Sequence, residues 1–310
     1  MTANLSAGIE WQREKIFSDN GYNTPLHRAE SLTSFYGLAQ VGIADRLDFN
    51  GSVRQDDPQY FDAVTTWNAG AVLHLPEIGG RVYVAYGTSF KAPSLSERYS
   101  SGAYAVPNPS LRPEHGKSFE AGLDIGTDIG SVGHVGATAT YFDTRIRDLI
   151  EYDYATLQNL NVGRAKIDGY ELSLHARAGT LLNFNIAYTR TNAFDESTGE
   201  RLLRRPKHGW SANVTVTPVP AFSVSADYIR RGTREDVLYA PTSAWGPGGG
   251  YLGNGTADAY DLVNLSAQYK LIDDVELFAT LNNAFDTKYE EPDSYAGAPR
   301  TWMIGARARF

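Results

Sequence analysis

The last ten residues of this chain, TWMIGARARF, place Trp302, Ile304, Ala306, Ala308 and Phe310 on one side of an extended backbone. Thr301, Met303, Gly305, Arg307 and Arg309 fall on the other. Successive strand side chains point to opposite faces, so this order separates apolar from charged residues cleanly, whereas a helix would scatter both around its circumference. The alternation returns along the chain. Tyr170, Leu172, Leu174 and Ala176 oppose Glu171, Ser173, His175 and Arg177, and Leu5, Ala7, Ile9 and Trp11 oppose Ser6, Gly8, Glu10 and Gln12. About fourteen such segments are legible, near 3–13, 31–42, 46–55, 64–75, 81–90, 117–127, 133–146, 166–178, 181–191, 209–217, 221–231, 260–271, 274–283 and 301–310. Most run to about 9–11 residues, the length a tilted strand needs to cross a bilayer, against about 5–6 for strands of soluble sheets.

Hydropathy averaged over a window misses this pattern. No stretch approaches the roughly 18 apolar residues of a spanning helix, and a formal charge of −8 reads as a soluble acidic protein. A barrel strand hides its lipid face from such a window, because only every second residue is apolar. The absence of cysteine excludes disulfides and thiolate metal sites.

The connections alternate in length. Short links fall at Ala44-Asp45, Pro76 to Gly80, Asp128 to Val132, Gly179-Thr180, Pro218 to Pro220 and Ile272-Asp273; long ones run over 14–30, 56–63, 91–116, 147–165, 192–208, 232–259 and 284–300. Short turns on one rim and long loops on the other define a transmembrane antiparallel β-barrel with periplasmic turns and extracellular loops. With Phe310 on the periplasmic side, every short link and Met1 fall there too. Polar-face residues, including Arg54, Glu120, Asp124, Arg177, Asp227, Lys270, Glu276, Arg307 and Arg309, are then expected to line the lumen. Ala308 is expected on the lipid face at mid-depth.

No enzyme is expected: the six histidines include no H-x-x-x-H pair, and no nucleophile–base set or paired carboxylates stand out. No cofactor or metal is expected either. Asp56, Asp57 and Asp62 lack calcium-loop spacing and read as solvated loop charges. The Gly-rich Thr242–Asp261 stretch reads as a mobile surface loop. The basic run Arg201, Arg204, Arg205, Lys207 and His208 sits in a long outer loop, where its charge suits either lipopolysaccharide phosphate or a solvated rim. Tyr228, Tyr239, Trp245, Tyr251, Tyr260 and Tyr269 gather around one outer loop, divided between an interfacial girdle and ligand contact. Asn282, Asn283 and Asp286 suit a strand exit where side chains cap free backbone groups.

Two stretches go beyond barrel architecture: AYGTSFKAPSLSERY (Ala85 to Tyr99) followed by NPSLRPEHGKSFEAGLDIG (Asn108 to Gly126), and LFATLNNAFDTKYEE (Leu277 to Glu291) followed by the terminal GAPRTWMIGARARF. In order and spacing they resemble the C-terminal part of TonB-dependent outer-membrane receptors, and among these the cobalamin receptor group most, though siderophore receptors share much of the pattern. The resemblance implies an outer-membrane location and uptake of a large scarce nutrient, cobalamin or else a ferric siderophore. It implies outer-membrane lipid and the barrel-assembly machinery as partners, the TonB complex in the intact receptor, and no nucleic acid. Gly305, Ala308 and Phe310 correspond to the assembly signal, and loop residues Tyr99, Tyr104, Tyr239, Trp245, Tyr251 and Tyr295 are candidate ligand contacts. The family closes 22 strands around a plug. Residues 1–310 are therefore expected to be the C-terminal portion of that barrel, with about fourteen strands present, and the plug domain and signal peptide absent. The alternative is a self-contained fourteen-stranded diffusion pore.

Overall fold

The computed structural model describes residues 1–19, 25–161, 163–240, 242–243, 246–247 and 250–309. Trp245 and Phe310 lie outside the described residues. The strands are β1 (Thr2–Ser18), β2 (Leu26–Ile43), β3 (Leu47–Pro58), β4 (Val64–Leu75), β5 (Gly80–Lys91), β6 (Glu114–Ile129), β7 (Gly133–Arg147), β8 (Ile150–Asp153), β9 (Gln158–Asn161) and β10 (Arg164–Ala178). They continue as β11 (Leu182–Asp195), β12 (His208–Val219), β13 (Phe222–Arg231), β14 (Arg234–Tyr239), β15 (Thr242–Ser243), β16 (Gly246–Pro247), β17 (Tyr251–Ala257), β18 (Tyr260–Ile272), β19 (Val275–Asn282) and β20 (Thr301–Ala308). A five-residue helix, α1 (Leu95–Tyr99), lies between β5 and β6. No helix among the described residues is long and apolar enough to cross a membrane; strands do the crossing.

Fourteen strands form one antiparallel sheet in chain order, interrupted only where β8–β9 and β14–β17 leave it as separate hairpins. All fourteen alternating segments are found. Several strands run further into the long-connection rim than the pattern suggests: β1 and β2 pair from Glu14↔Glu30 out to Ser18↔Leu26, inside a stretch read as loop. The Gly-rich stretch is likewise corrected, since Tyr251–Ala257 is a strand that pairs with β14. Among the described residues neither edge is closed by the other, for β1 pairs only with β2 and β20 only with β19.

Register fixes the two faces. Side chains directly opposite one another share a face, and the polar set proves continuous: Arg81 pairs with Asp124 at 3.0 Å, Asn213 donates to Asp227 at 2.7 Å, and Arg307 meets Glu276 at 3.4 Å. Arg54 joins Glu10 and Asp56, both at 2.9 Å. Asp56 is thus not a solvated loop charge. It is 6% exposed and accepts from Ser34 Oγ at 2.6 Å. On the other face the large apolar residues are exposed, among them Leu5, Ile9, Trp67, Leu172, Leu174 and Ile304. Their rings align toward the long-connection rim, with Trp67 5.6 Å from Tyr86, Phe119 6.5 Å from Tyr141, Tyr170 5.9 Å from Tyr188 and Tyr188 4.4 Å from Trp210. That is an interfacial aromatic girdle. Tyr228 pairs with Ala212 toward this rim, whereas Tyr269, opposite Phe222 and Leu277, lies near the short turns at the other one. The six aromatics read as one outer-loop group are therefore split.

Ala308 keeps its expected face but not its expected depth. It pairs with Val275, next to the short turn after β18, so mid-depth on β20 belongs to Ile304 and Ala306. Gly305 is on the polar face, where any side chain would run into the Phe278 ring lying over it. The turn from β2 to β3 closes through Arg46 N–H donating to Ile43 at 3.0 Å. Its central residues are Ala44 and Asp45, both at φ +52°. An alanine in that left-handed region costs about 1 kcal/mol or more that glycine avoids. Ala44→Gly is accordingly expected to raise stability by about 1 kcal/mol, seen as a higher urea midpoint for the membrane-inserted protein at unchanged slope.

With one sheet face apolar and the other polar, little is buried between the rims. Buried residues concentrate in a cap over the long connections: Leu95, Leu111, Ile150, Ala165, Ala193, Leu202, Val237 and Ala257.

Candidate ligand-binding surface in the outer loops

The cap is held by the motif residues themselves. Ser94 caps α1 by accepting from Glu97 N–H, and the Glu97 carboxylate accepts from Ser94 N–H in return, a reciprocal capping box. Lys91 reaches both Glu97 at 3.3 Å and Glu114 at 3.0 Å, tying the start of the β5–β6 connection to its end. Glu114 in turn accepts from Ile150 N–H at 3.0 Å. The asparagine of the N-P-S-L-R-P stretch, Asn108, donates to Asn159 O at 2.8 Å, and Arg112 N–H donates to Asn161 Oδ1 at 2.9 Å, so this connection is laced onto the β8–β9 hairpin. Asn283, at φ +47°, donates to Thr287 O and Ala298 O at 2.9 and 3.1 Å, and Asp286 accepts from Arg300 N–H at 3.0 Å. Asn283 and Asp286 thus play the capping role expected at this strand exit, whereas Asn282 donates across the strand pair to Thr301 Oγ1 at 3.4 Å.

At the centre of the cap is Asp236, wholly buried. Arg204 Nε approaches it at 2.8 Å and Arg234 Nε at 3.6 Å, while the Val237 and Asp293 amides donate at 2.9 and 3.2 Å. Burial alone would raise its carboxyl; the hydrogen bonds from Arg204 and the two amides outweigh that and hold it below the usual carboxylate range. Arg234 also donates to Glu290 O at 2.7 Å. Three connections, those around 201–207, 232–259 and 284–300, therefore converge on one carboxylate.

Over this centre lies an aromatic shelf. Tyr152 and Tyr154 meet edge to face at 4.9 Å, Tyr154 stacks on Tyr251 at 6.4 Å, and Tyr251 meets Tyr239 at 6.4 Å. Burial first, and the nearby Tyr154 hydroxyl next, push the Tyr239 hydroxyl up, leaving it a neutral donor. Arg204 Nη2 donates to Tyr154 Oη at 3.3 Å while its side chain stays 41% exposed. Its φ of +60° is uncommon for arginine and is fixed by its amide donating to Glu235 O at 2.6 Å. Beside the shelf, a cavity of about 720 Å³ opens between Tyr260, Tyr289, Lys288 and Asp293.

Of the candidate contacts, Tyr239 and Tyr251 are brought together. Tyr104 joins through its carbonyl, which accepts from Tyr152 Oη at 2.6 Å, and its ring is 80% exposed. Tyr295 is exposed on the 284–300 connection and close enough to act electrostatically on Tyr239. Tyr99 is elsewhere, its ring 4.8 Å from Arg98 and 5.3 Å from Arg28. Tyr154, Tyr152 and Arg204 were missed as partners of the shelf; the only signal was the Y-x-Y spacing in EYDYAT, which puts both rings on one side of an extended segment. The basic run 201–208 is largely spoken for: Arg204 serves Asp236, Arg201 lies over the Phe194 ring at 4.9 Å, and His208 pairs with Tyr188 Oη at 2.7 Å. Planar rings beside a partly exposed guanidinium suit a large, anionic, aromatic-bearing ligand.

An antiparallel sheet with a lipid-type face, a girdle and a folded loop cap is the wall of a membrane β-barrel, with both of its edges open among the described residues. The chain belongs to the TonB dependent receptor-like, β-barrel family, whose model matches residues 2–284. Among solved structures it is similar to the ferric-catecholate import receptor Fiu from Escherichia coli K12 in its closed form (18% identity, TM-score 0.73), covering 99% of this chain and 52% of that one. The siderophore receptor PirA from Acinetobacter baumannii matches at 16% identity and TM-score 0.80, with 99% and 52% covered. The copper transporter OprC matches at 16% identity and TM-score 0.78, with 99% and 54% covered. The chain thus spans about half the length of the solved structures it matches.

Proposed function

We propose that this chain is the C-terminal portion of the barrel of an outer-membrane TonB-dependent receptor, and that the receptor takes up a ferric siderophore. The observation that carries the ligand class is the tyrosine shelf with Arg204 at its edge. A metal chelate with aromatic, anionic arms would stack on Tyr154, Tyr239 and Tyr251 and meet the guanidinium's remaining donors. The printed descriptions of Fiu and PirA name ferric-catecholate and siderophore cargo, in keeping with that chemistry. Cobalamin, favoured by the sequence resemblance, finds no counterpart among the matched structures reported above and serves as the competing ligand. A transport role leaves no catalytic step to assign.

Two unpaired sheet edges weigh against a self-contained diffusion pore, because a strand edge facing lipid leaves a row of amides and carbonyls without partners. Further strands of the same receptor would satisfy both edges and close the barrel, a plug would gate it, and the TonB complex would supply the force. Gly305 and Ala308 on the β20 edge, with Phe310, would present the assembly signal to the barrel-assembly machinery. Binding of radiolabelled ferric siderophore and of cyanocobalamin to outer membranes containing the full receptor tests the reading. Tyr239→Ala with Tyr251→Ala is expected to weaken siderophore binding about tenfold or more, the loss of roughly 1.4 kcal/mol or more from two ring contacts. Unaltered siderophore binding in the double variant, or cobalamin binding in its place, would overturn it.

A further inference from the structure

Three of the six histidines gather on the polar face at the short-turn rim, opposite the rim that carries the tyrosine shelf: His74 near the end of β4, His134 at the start of β7 and His175 near the end of β10. His134 lies opposite Arg177 and His175 opposite Gly136, which makes the two histidines diagonal neighbours, within reach of ring side chains. Their imidazoles stack at 5.4 Å between centroids and 17° between planes. Beneath them Gly126 and Gly136 face each other on β6 and β7. A side chain on Gly136 would overlap Nε2 and Cε1 of His175, and one on Gly126 would come within 3.1 Å of His134 Nε2. The Nε2 edges of both rings therefore converge over one glycine pair.

The far side of His134 prepares it as a ligand. Asp128, directly opposite, meets Nδ1 at 2.9 Å, and a carboxylate accepting from Nδ1–H leaves Nε2 of the neutral ring with its lone pair. That carboxylate–histidine arrangement is the one that orients metal-bound imidazoles. His175 forms no hydrogen bond or ion pair among the described residues, so both its nitrogens are uncommitted. A cavity of about 330 Å³ opens beside the two rings. Its other polar groups are engaged: Asp124 by Arg81 and Thr138, both at 3.0 Å, and His74 by Asp48 at 2.7 Å. No three His, Asp or Glu side chains among the described residues are grouped to hold a metal. The protein therefore supplies two nitrogens and leaves the other coordination positions to water. Two neutral imidazoles with open positions suit a borderline divalent cation, and Cu²⁺ stands highest in the affinity order. We propose that His134 and His175 form a two-histidine site for a divalent transition metal, Cu²⁺ ahead of Ni²⁺ or Zn²⁺, which bridges β7 and β10 at the short-turn rim. Metal–nitrogen bonds of about 2.0–2.1 Å are reached by turning each ring about its soft terminal torsion. Arg177, opposite His134, repels the bound cation and makes the site weaker than its donors alone would. On the outer-membrane reading above this is the periplasmic mouth of the lumen; the site itself depends only on register and a wet inner face.

The test is a Cu²⁺ titration of the untagged full receptor in nanodiscs, stripped of metal with EDTA and followed by electron paramagnetic resonance. The wild type is expected to bind one more copper per barrel than His134→Ala with His175→Ala, and that copper is expected to show the nitrogen hyperfine pattern of two imidazoles. Asp128→Asn, which keeps both rings, is expected to weaken the site about tenfold or more. Gly136→Ala, which displaces the His175 ring, is expected to abolish it, Arg177→Gln to tighten it, and His74→Ala to change nothing. Equal copper stoichiometry and spectra in the wild type and the double histidine variant would overturn the site, as would wild-type affinity in both Arg177→Gln and Gly136→Ala. Siderophore binding, read on the same samples, is expected to persist in every variant. Its loss together with the copper signal marks a misfolded variant and leaves the decision to Arg177→Gln, whereas its absence in the wild type refutes the siderophore reading and leaves this site standing.

Discussion

Asp236→Ala is expected to cost about 3–5 kcal/mol, because it leaves Arg234, itself almost wholly buried, as an uncompensated charge inside the loop cap. The loss should be local. The same carboxylate holds Arg204 and the amides of Val237 and Asp293, so the β14–β17 hairpin and the 284–300 connection should open together while the sheet stays folded. Hydrogen exchange of those segments reads the effect; protection equal to wild type in the variant would show that Asp236 does not organise the cap. Siderophore binding is expected to fall with it, since Arg204 and Tyr154 lose their support. A pH dependence of definite sign accompanies this. The folded carboxyl is held below its ordinary value, so its stabilisation is present above the ordinary carboxylate range and is lost as pH falls from about 4 through the folded value. Protection factors in the cap, with the intrinsic pH dependence of amide exchange divided out, should therefore fall at about pH 3 relative to pH 7 in the wild type, and much less so in Asp236→Asn.

Leu174→Arg is expected to lower stability by about 2–4 kcal/mol, while Ser173→Arg, one residue away, costs little. Leu174 pairs with Ala137 and Ile186, both on the apolar face, and lies two rungs inward from the girdle residue Tyr170, near mid-depth. Ser173 points to the polar face, opposite Thr138 and Ala187. A guanidinium on the first face enters hydrocarbon; on the second it enters water. Urea titration in lipid vesicles, following the sheet by circular dichroism, separates the two. Equal midpoints would mean that the faces are assigned the wrong way round or that neither is in lipid. Ala308, next to a short turn, is the poorer probe of depth, since interfacial arginine costs only about 0–1 kcal/mol.

Alternation revealed the sheet because a period of two is a local property. Tyr170 through Arg177 sorts into two faces whichever strands lie beside it. The capping residues Asn283 and Asp286 were readable for the same reason, as their partners lie within a few residues or just across the same loop exit. The shelf was only half legible. Tyr239 and Tyr251 stand out in an aromatic-rich loop, but their partner Tyr154 comes from a hairpin about ninety residues earlier. Likewise Asp56 reads as one of several loop acids until register puts Ser34 and Arg54 beside it.

What residue order alone established, then, is the number of strands in the main sheet, their two faces and which rim carries the long connections, since each follows from side-chain period and chain parity. Tertiary structure decided the depth of Ala308, the convergence of three connections on Asp236, and the meeting of His134 from β7 with His175 from β10. These depend on cross-strand register and on packing between segments far apart in the chain, where neither the period nor the spacing of residues carries information.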